Sequence, residues 1–204
     1  MNFDLNENQK MFREMVRDFA AKEIAPIAQQ MDEEAAMPDA LIARMRENGF
    51  FGLAFPEKYG GLGVDTLTYS LVVEELAKAS AGVCVMVTVH NSVGSYPLAM
   101  FGNEGVKERF LPRMASGEIA AFCVSEAGSG SDAAGLQCTA KRDGDHYVLN
   151  GSKAWVTNGE RASFYVILAR TPGTTGHKDT HAFIVERETP GLSVGKKEDK
   201  MGLR

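Results

Sequence analysis

Cysteine is scarce in this chain of 204 residues: Cys84, Cys123 and Cys138 are an odd number at wide spacing, with no C-x-x-C pair. That pattern excludes a disulfide framework and a thiol zinc template, and it fits a reducing compartment. Histidine is equally thin. His177 and His181 follow Pro172-Gly173-Thr174-Thr175-Gly176, a loop composition, so their spacing makes no metal-binding helix face. No apolar run reaches the 18 or so residues of a membrane span, and the start Met1-Asn2-Phe3-Asp4-Leu5 lacks the basic and apolar regions of a leader. The chain reads as soluble and cytoplasmic. Blocks of basic residues are missing too, and a net charge of -5 with a pI near 5.5 argues against nucleic acid as a partner.

Hydrophobic residues, by contrast, make up 44% of the chain, enough to build a core in one large domain or two small ones. The first third has helical periodicity. Asn6 with Gln9 reads as a capping box, and Met11, Phe12, Met15, Val16, Phe19, Ala20, Ile24 and Ile27 recur on one face, with Pro26 bending the end. A second helix is predicted from Pro38-Asp39 to Gly49, burying Leu41, Ile42 and Met45. Residues 50–63 hold Gly52, Pro56, Gly60, Gly61 and Gly63 and read as a connecting loop. From Asp65 an amphipathic helix runs through Leu67, Leu71, Val72, Leu76 and Ala77, with Glu74 and Glu75 mostly on another face. Ala81 to Met100 leaves almost no polar face. Its β-branched residues suit a strand as well, but a helix buried on all sides is the preferred reading. Asn103 then caps a helix burying Val106, Phe110, Leu111 and Met114, closed by Gly117.

Near residue 119 the period changes. Ala120–Ser125, Tyr147–Leu149, Ala154–Thr157, Phe164–Ala169 and Ala182–Val185 are short apolar or alternating runs. Asp143-Gly144-Asp145, Asn150-Gly151, Asn158-Gly159, Pro172-Gly173 and Pro190-Gly191 punctuate them as turns. The expected class is α+β: an all-helical domain over residues 1–118, then an antiparallel β-barrel or sandwich over 119–204. Within the second part, Phe122 to Gly135 runs from an apolar strand into a turn rich in glycine and serine. Gly128, Gly130 and Gly135 permit close approach to another surface, and Ser125, Ser129 and Ser131 can donate and accept hydrogen bonds. A ligand loop fits, and so does an ordinary strand and loop.

Longer matches narrow the choice. Cys123-Val124-Ser125-Glu126 with Gly130-Ser131-Asp132 and Gly135 resembles the flavin signature of the acyl-CoA dehydrogenase family, and Trp155-Val156-Thr157-Asn158-Gly159 resembles its second flavin segment. The likeness covers the whole chain. Lys196 to Arg204 and Val89-His90-Asn91-Ser92 are most similar to the short-chain, butyryl-CoA branch. Two positions depart from the family pattern: Ala127 stands where proline is usual, which could loosen the loop, and Ser125 where threonine is usual, which keeps the hydroxyl.

The resemblance implies a helical domain, a β-domain and a C-terminal helical bundle in a homotetramer, with FAD between the last two. Phe122, Val124 and Ser125 would lie along the isoalloxazine edge, Trp155 would cover a ring face, and Thr157 would hydrogen-bond near N5. Cys123, Gly130, Ser131 and Val156 complete the expected cofactor contacts, and Ser131 also meets the CoA portion of an acyl-CoA substrate. The family's chemistry takes the α-proton of the thioester, stabilises enolate-like charge on the carbonyl oxygen and moves the β-hydride to the flavin. Its general base is a glutamate of the bundle, expected beyond Arg204, so the implied catalytic residues in this chain are none. Glu126 is read as a loop residue, bonded within its turn or facing solvent. Electrons would pass to an electron-transfer flavoprotein; an acyl-CoA oxidase of the same fold would give them to oxygen. A fragment without the bundle would bind weakly and catalyse nothing.

Overall fold

In a computed structural model the described residues are 4–203. Met1, Asn2 and Phe3, which carry part of the reading of a leader-free start, and Arg204, the end of the family-like tail, lie outside them. The chain divides into two compact units, Met1–Glu118 with Asp199–Arg204, and Ile119–Glu198.

The helical unit starts as its sequence dictates. The Asn6 side chain accepts from the Gln9 amide at 2.9 Å while the Gln9 side chain accepts from the Asn6 amide at 3.0 Å, closing the capping box of α1, Glu7–Phe19. The helical path widens to a π-turn over Ala20–Ile24 and tightens to a 3-10 turn over Ala25–Ile27, where Pro26 sits, before α2, Ala28–Glu33. Next come α3 (Asp39–Glu47), α4 (Thr66–Ala79), α5 (Ala81–Val89), α6 (Tyr96–Phe101) and α7 (Glu104–Ala115). Side chains of Asp65, Ser80 and Asn103 cap α4, α5 and α7. A π-turn over His90–Ser95 joins α5 to α6.

Three expectations need correction here. Residues 50–63 are irregular, but they are core rather than mere connection: Phe50, Phe51, Leu53 and Phe55 are no more than 1% exposed. Buried loop backbone needs partners, and Asn91 supplies them. Its side-chain nitrogen donates to the Phe50 carbonyl at 2.8 Å, and its oxygen accepts from the Leu53 amide at 2.9 Å. Gly61 is required there, because a Cβ would lie 2.0 Å from the Phe55 carbonyl oxygen. Second, the 81–100 segment is helical but not buried all round, since Tyr96 and Met100 are 46% and 54% exposed. Third, Glu75 points inward and is buried. Arg13 Nε, Arg17 Nη2 and Lys78 Nζ contact its carboxylate at 3.0, 2.9 and 3.1 Å, joining α1 to α4.

The second unit is a mixed five-stranded sheet, not an antiparallel barrel or sandwich. Its strands are β1 (Ala120–Cys123), β2 (Thr139–Asp143), β3 (His146–Asn150), β4 (Phe164–Arg170) and β5 (Thr180–Glu186). β4 is the centre. β5 pairs antiparallel along all of β4, which leaves the other edge to β1, parallel from Ala120↔Phe164 to Cys123↔Ile167, and then to β2, parallel at Thr139↔Arg170. Hairpin-type turns suggested antiparallel neighbours throughout, yet only β2–β3, across Asp143-Gly144-Asp145, is so tight a hairpin. β2 was not foreseen, and Ala154–Thr157 is no strand.

Candidate functional site

β1 alternates as a strand should. Ala121 and Cys123 face a small core with Ala162 and Tyr165, which burial of the thiol accompanies by pushing the Cys123 pKa up to about 12. Phe122, on the other face, is half-buried, as are Val124 and Ser125 beyond the strand's end. The chain then turns tightly about Ala127-Gly128: the Glu126 amide donates to the Ser129 carbonyl at 2.8 Å and the Ser129 amide to the Glu126 carbonyl at 3.2 Å. Two backbone bonds therefore close this turn without the proline usual at position 127. Buried Ser129 donates its hydroxyl to the Asp132 carbonyl at 2.6 Å, which folds the loop over and leaves Gly130 and Ser131 exposed.

The segment after β3 comes back beside this loop. Gly151 has φ +152°, and a Cβ on it would lie 2.8 Å from both Cα and Cβ of Cys138, so only glycine lets the chain pass β2 this closely. Lys153, its side chain only 8% exposed, donates to the Val124 carbonyl at 3.1 Å and to Glu126 Oε1 at 2.8 Å. The Ala154 amide donates to the Ser125 carbonyl at 2.8 Å. Trp155 follows with φ +58° and 72% of its surface exposed. A left-handed conformation is unfavourable for a bulky aromatic residue, and exposing the chain's one tryptophan forgoes its burial. Val156 and Thr157 are half-buried.

A turn at Asn158, φ +67°, closes the segment, and asparagine tolerates that angle. Its carbonyl accepts from the Arg161 and Ala162 amides at 2.9 and 2.8 Å. The Tyr165 hydroxyl donates to the Gly159 carbonyl at 2.7 Å, and Arg187 Nη1 donates to that hydroxyl at 3.0 Å and to the Glu160 carbonyl at 2.7 Å.

Both sequence-predicted segments thus meet along Ser125 and Ala154. Glu126 is not solvent-facing: besides Lys153, the Gln137 and Cys138 amides donate to it at 2.6 and 2.9 Å. Burial pushes its pKa up, but Lys153 and the two amides outweigh that and hold it below the usual carboxylate range. Lys153 and Arg187 were missed by sequence reasoning, because nothing in a lone basic residue says which distant segment it pins. The bonds that close the tight turn and the Glu126–Lys153 ion pair use backbone groups, the Ser129 hydroxyl and the two charged side chains. Among the described residues no group of three or more His, Cys, Asp or Glu could hold a metal.

The acyl-CoA dehydrogenase N-terminal domain matches residues 6–118, and the middle domain of the same family matches residues 121–204. An acyl-CoA dehydrogenase of Bacillus subtilis (strain 168) is 46% identical over 200 residues, which are 98% of this chain and 53% of that protein. The butyryl-CoA dehydrogenase of Megasphaera elsdenii superposes with a TM-score of 0.94 at 40% identity, over 100% of this chain and 54% of that one. An acyl-CoA dehydrogenase of Bacillus anthracis complexed with FAD gives a TM-score of 0.90 at 36% identity, over 98% of this chain and 34% of that one. The chain spans about half the length of the first two relatives.

Proposed function

Because the chain belongs to the acyl-CoA dehydrogenase family, whose members are oxidoreductases, we propose that the protein carrying it converts a short- to medium-chain acyl-CoA to the trans-2-enoyl-CoA with FAD, in fatty-acid β-oxidation. Electrons go to an electron-transfer flavoprotein, and the working unit is a cytoplasmic homotetramer. Free, buried Cys84, Cys123 and Cys138 agree with a reducing compartment. The observation that carries the reading is Trp155: strained, exposed, and one residue from the Ala154–Ser125 hydrogen bond.

The residues fit a flavin. A planar ring needs an apolar or aromatic face and edge donors, and Phe122, Val124 and Trp155 offer the first while Ser125 and Thr157 offer the second. FAD, when bound there, supplies the acceptor for the β-hydride. This chain's residues do the rest of the holding. With a flavin bound there, Trp155 would shield its ring from water, Thr157 and Ser125 would offer hydroxyl donors, and Cys123, whose thiol is buried, would offer its backbone. Gly130, Ser131 and Val156 would complete the contacts, and Ser131 would also meet the CoA portion of the substrate. Glu126 is no base for the α-proton, since its oxygens already accept three hydrogen bonds; a glutamate outside this chain fills that role.

The test is flavin retention by the protein expressed from its full reading frame. Unaltered protein purifies yellow with FAD, whereas Trp155→Ala loses most of its flavin on gel filtration. Equal retention by the two would remove Trp155 from the site and this reading with it.

A further inference from the structure

Glu126 and Lys153 are 27 residues apart, and their side chains are each only 8% exposed. Burying an ion pair is costly, and a well-packed apolar pair often stabilises a fold as much, so its presence is weak evidence for a stabilising role. Direction is what distinguishes this pair. Each further bond it makes runs to backbone of the segments that bear the site: Lys153 to the Val124 carbonyl, Glu126 to the Gln137 and Cys138 amides at the far end of the glycine loop. Ser125 lies between Val124 and Glu126, and Trp155 lies two residues beyond Lys153, with the Ala154–Ser125 bond between them.

Resting on the flavin reading above, we infer that Glu126 and Lys153 are positioning residues: their ion pair fixes the Ser125 backbone against Ala154, the residue before Trp155, touching neither cofactor nor substrate. A charge removed from water accepts few geometries, so the pair holds the two segments in one register.

Three variants in the full-length protein test this: Glu126→Gln, Lys153→Met and the double variant, each followed by thermal unfolding without flavin, FAD titration and the visible spectrum. Each single variant strands one buried charge and loses both thermal stability and at least about tenfold in FAD affinity, which is ~1.4 kcal/mol. The double variant strands no charge and regains most of the stability. Its FAD affinity and flavin band shape stay altered, because the register is still unfixed. Affinity and spectrum returning together with stability, or FAD binding within twofold of wild type in every variant, would make the pair merely structural and overturn the inference alone. Unaltered protein that binds no FAD would overturn the flavin reading and the inference together.

Discussion

At the residue scale the site is a set of exceptions to ordinary preference. Trp155 pays twice, in backbone angle and in exposure, so its replacement should cost the fold little. Trp155→Gly is expected to leave stability within about 1 kcal/mol, because relief of the left-handed strain offsets the flexibility gained by the unfolded chain. Truncating a buried aromatic would cost about 3–5 kcal/mol, and urea unfolding of the flavin-free protein tells the two apart. Gly151→Ala should do the opposite. Its Cβ would collide with Cys138 backbone, which cannot swing aside, and a loss of at least about 2 kcal/mol in the same assay is expected. The residue types at these positions were legible in the sequence, since glycines, serines and a tryptophan at set spacing marked them. The angles were not. Nothing local announces that Trp155 is left-handed, because the Lys153 side chain and the Ala154 amide, both held by tertiary contacts, fix the chain just before it.

Elements were read best where the signal was local. The capping box at Asn6, the helix start at Asp65, the cap at Asn103 and the stop before Gly49 depend on neighbours three or four residues away, and they stand as expected. Glu75 shows the limit of periodicity. Charge suggested an outward face, but Arg13 and Arg17 reach over from α1 and Lys78 from one turn on. Side-chain hydrogen bonds from Arg17 above all, then Arg13 and Lys78, hold its carboxylate at a pKa of about 2 against the opposing effect of burial. A carboxylate lowered in the fold contributes stability above its ordinary value near 4.5 and loses it as pH falls toward 2. Glu75→Leu should therefore destabilise by about 1–3 kcal/mol at pH 7, since half-exposed partners weaken the pairing, with the difference shrinking through that acid window. Chemical denaturation at several pH values checks it. Residues 50–63 were misjudged for a related reason: glycine and proline correctly forbade a regular element, but composition cannot say that Asn91 will satisfy the loop's backbone from 38 residues away.

Over the whole molecule, two classes of element in series were plain from the change of period near residue 119, but the sheet order was not. Turn chemistry reports hairpins; the parallel pairing of β1 with β4 spans a long connection that no local signal encodes. Acid sensitivity also belongs to this scale. His90 is fully buried against the Phe51 carbonyl at 2.9 Å, and burial lowers its pKa to about 4 despite that bond. The unfolded chain then binds a proton that the fold refuses, so stability should fall as pH drops from about 6.5 toward 4. His90→Gln is expected to flatten that window, seen as a thermal midpoint less dependent on pH, while leaving the lower Glu75 window unchanged. Whether the two segments serve acyl-CoA oxidation is read from anaerobic addition of butyryl-CoA to the FAD-loaded, full-length protein. The yellow absorbance is expected to bleach, with trans-2-enoyl product forming in step with it. A flavin-loaded protein whose spectrum does not change with butyryl-CoA or a medium-chain homologue would contradict it, leaving the fold and removing the reaction.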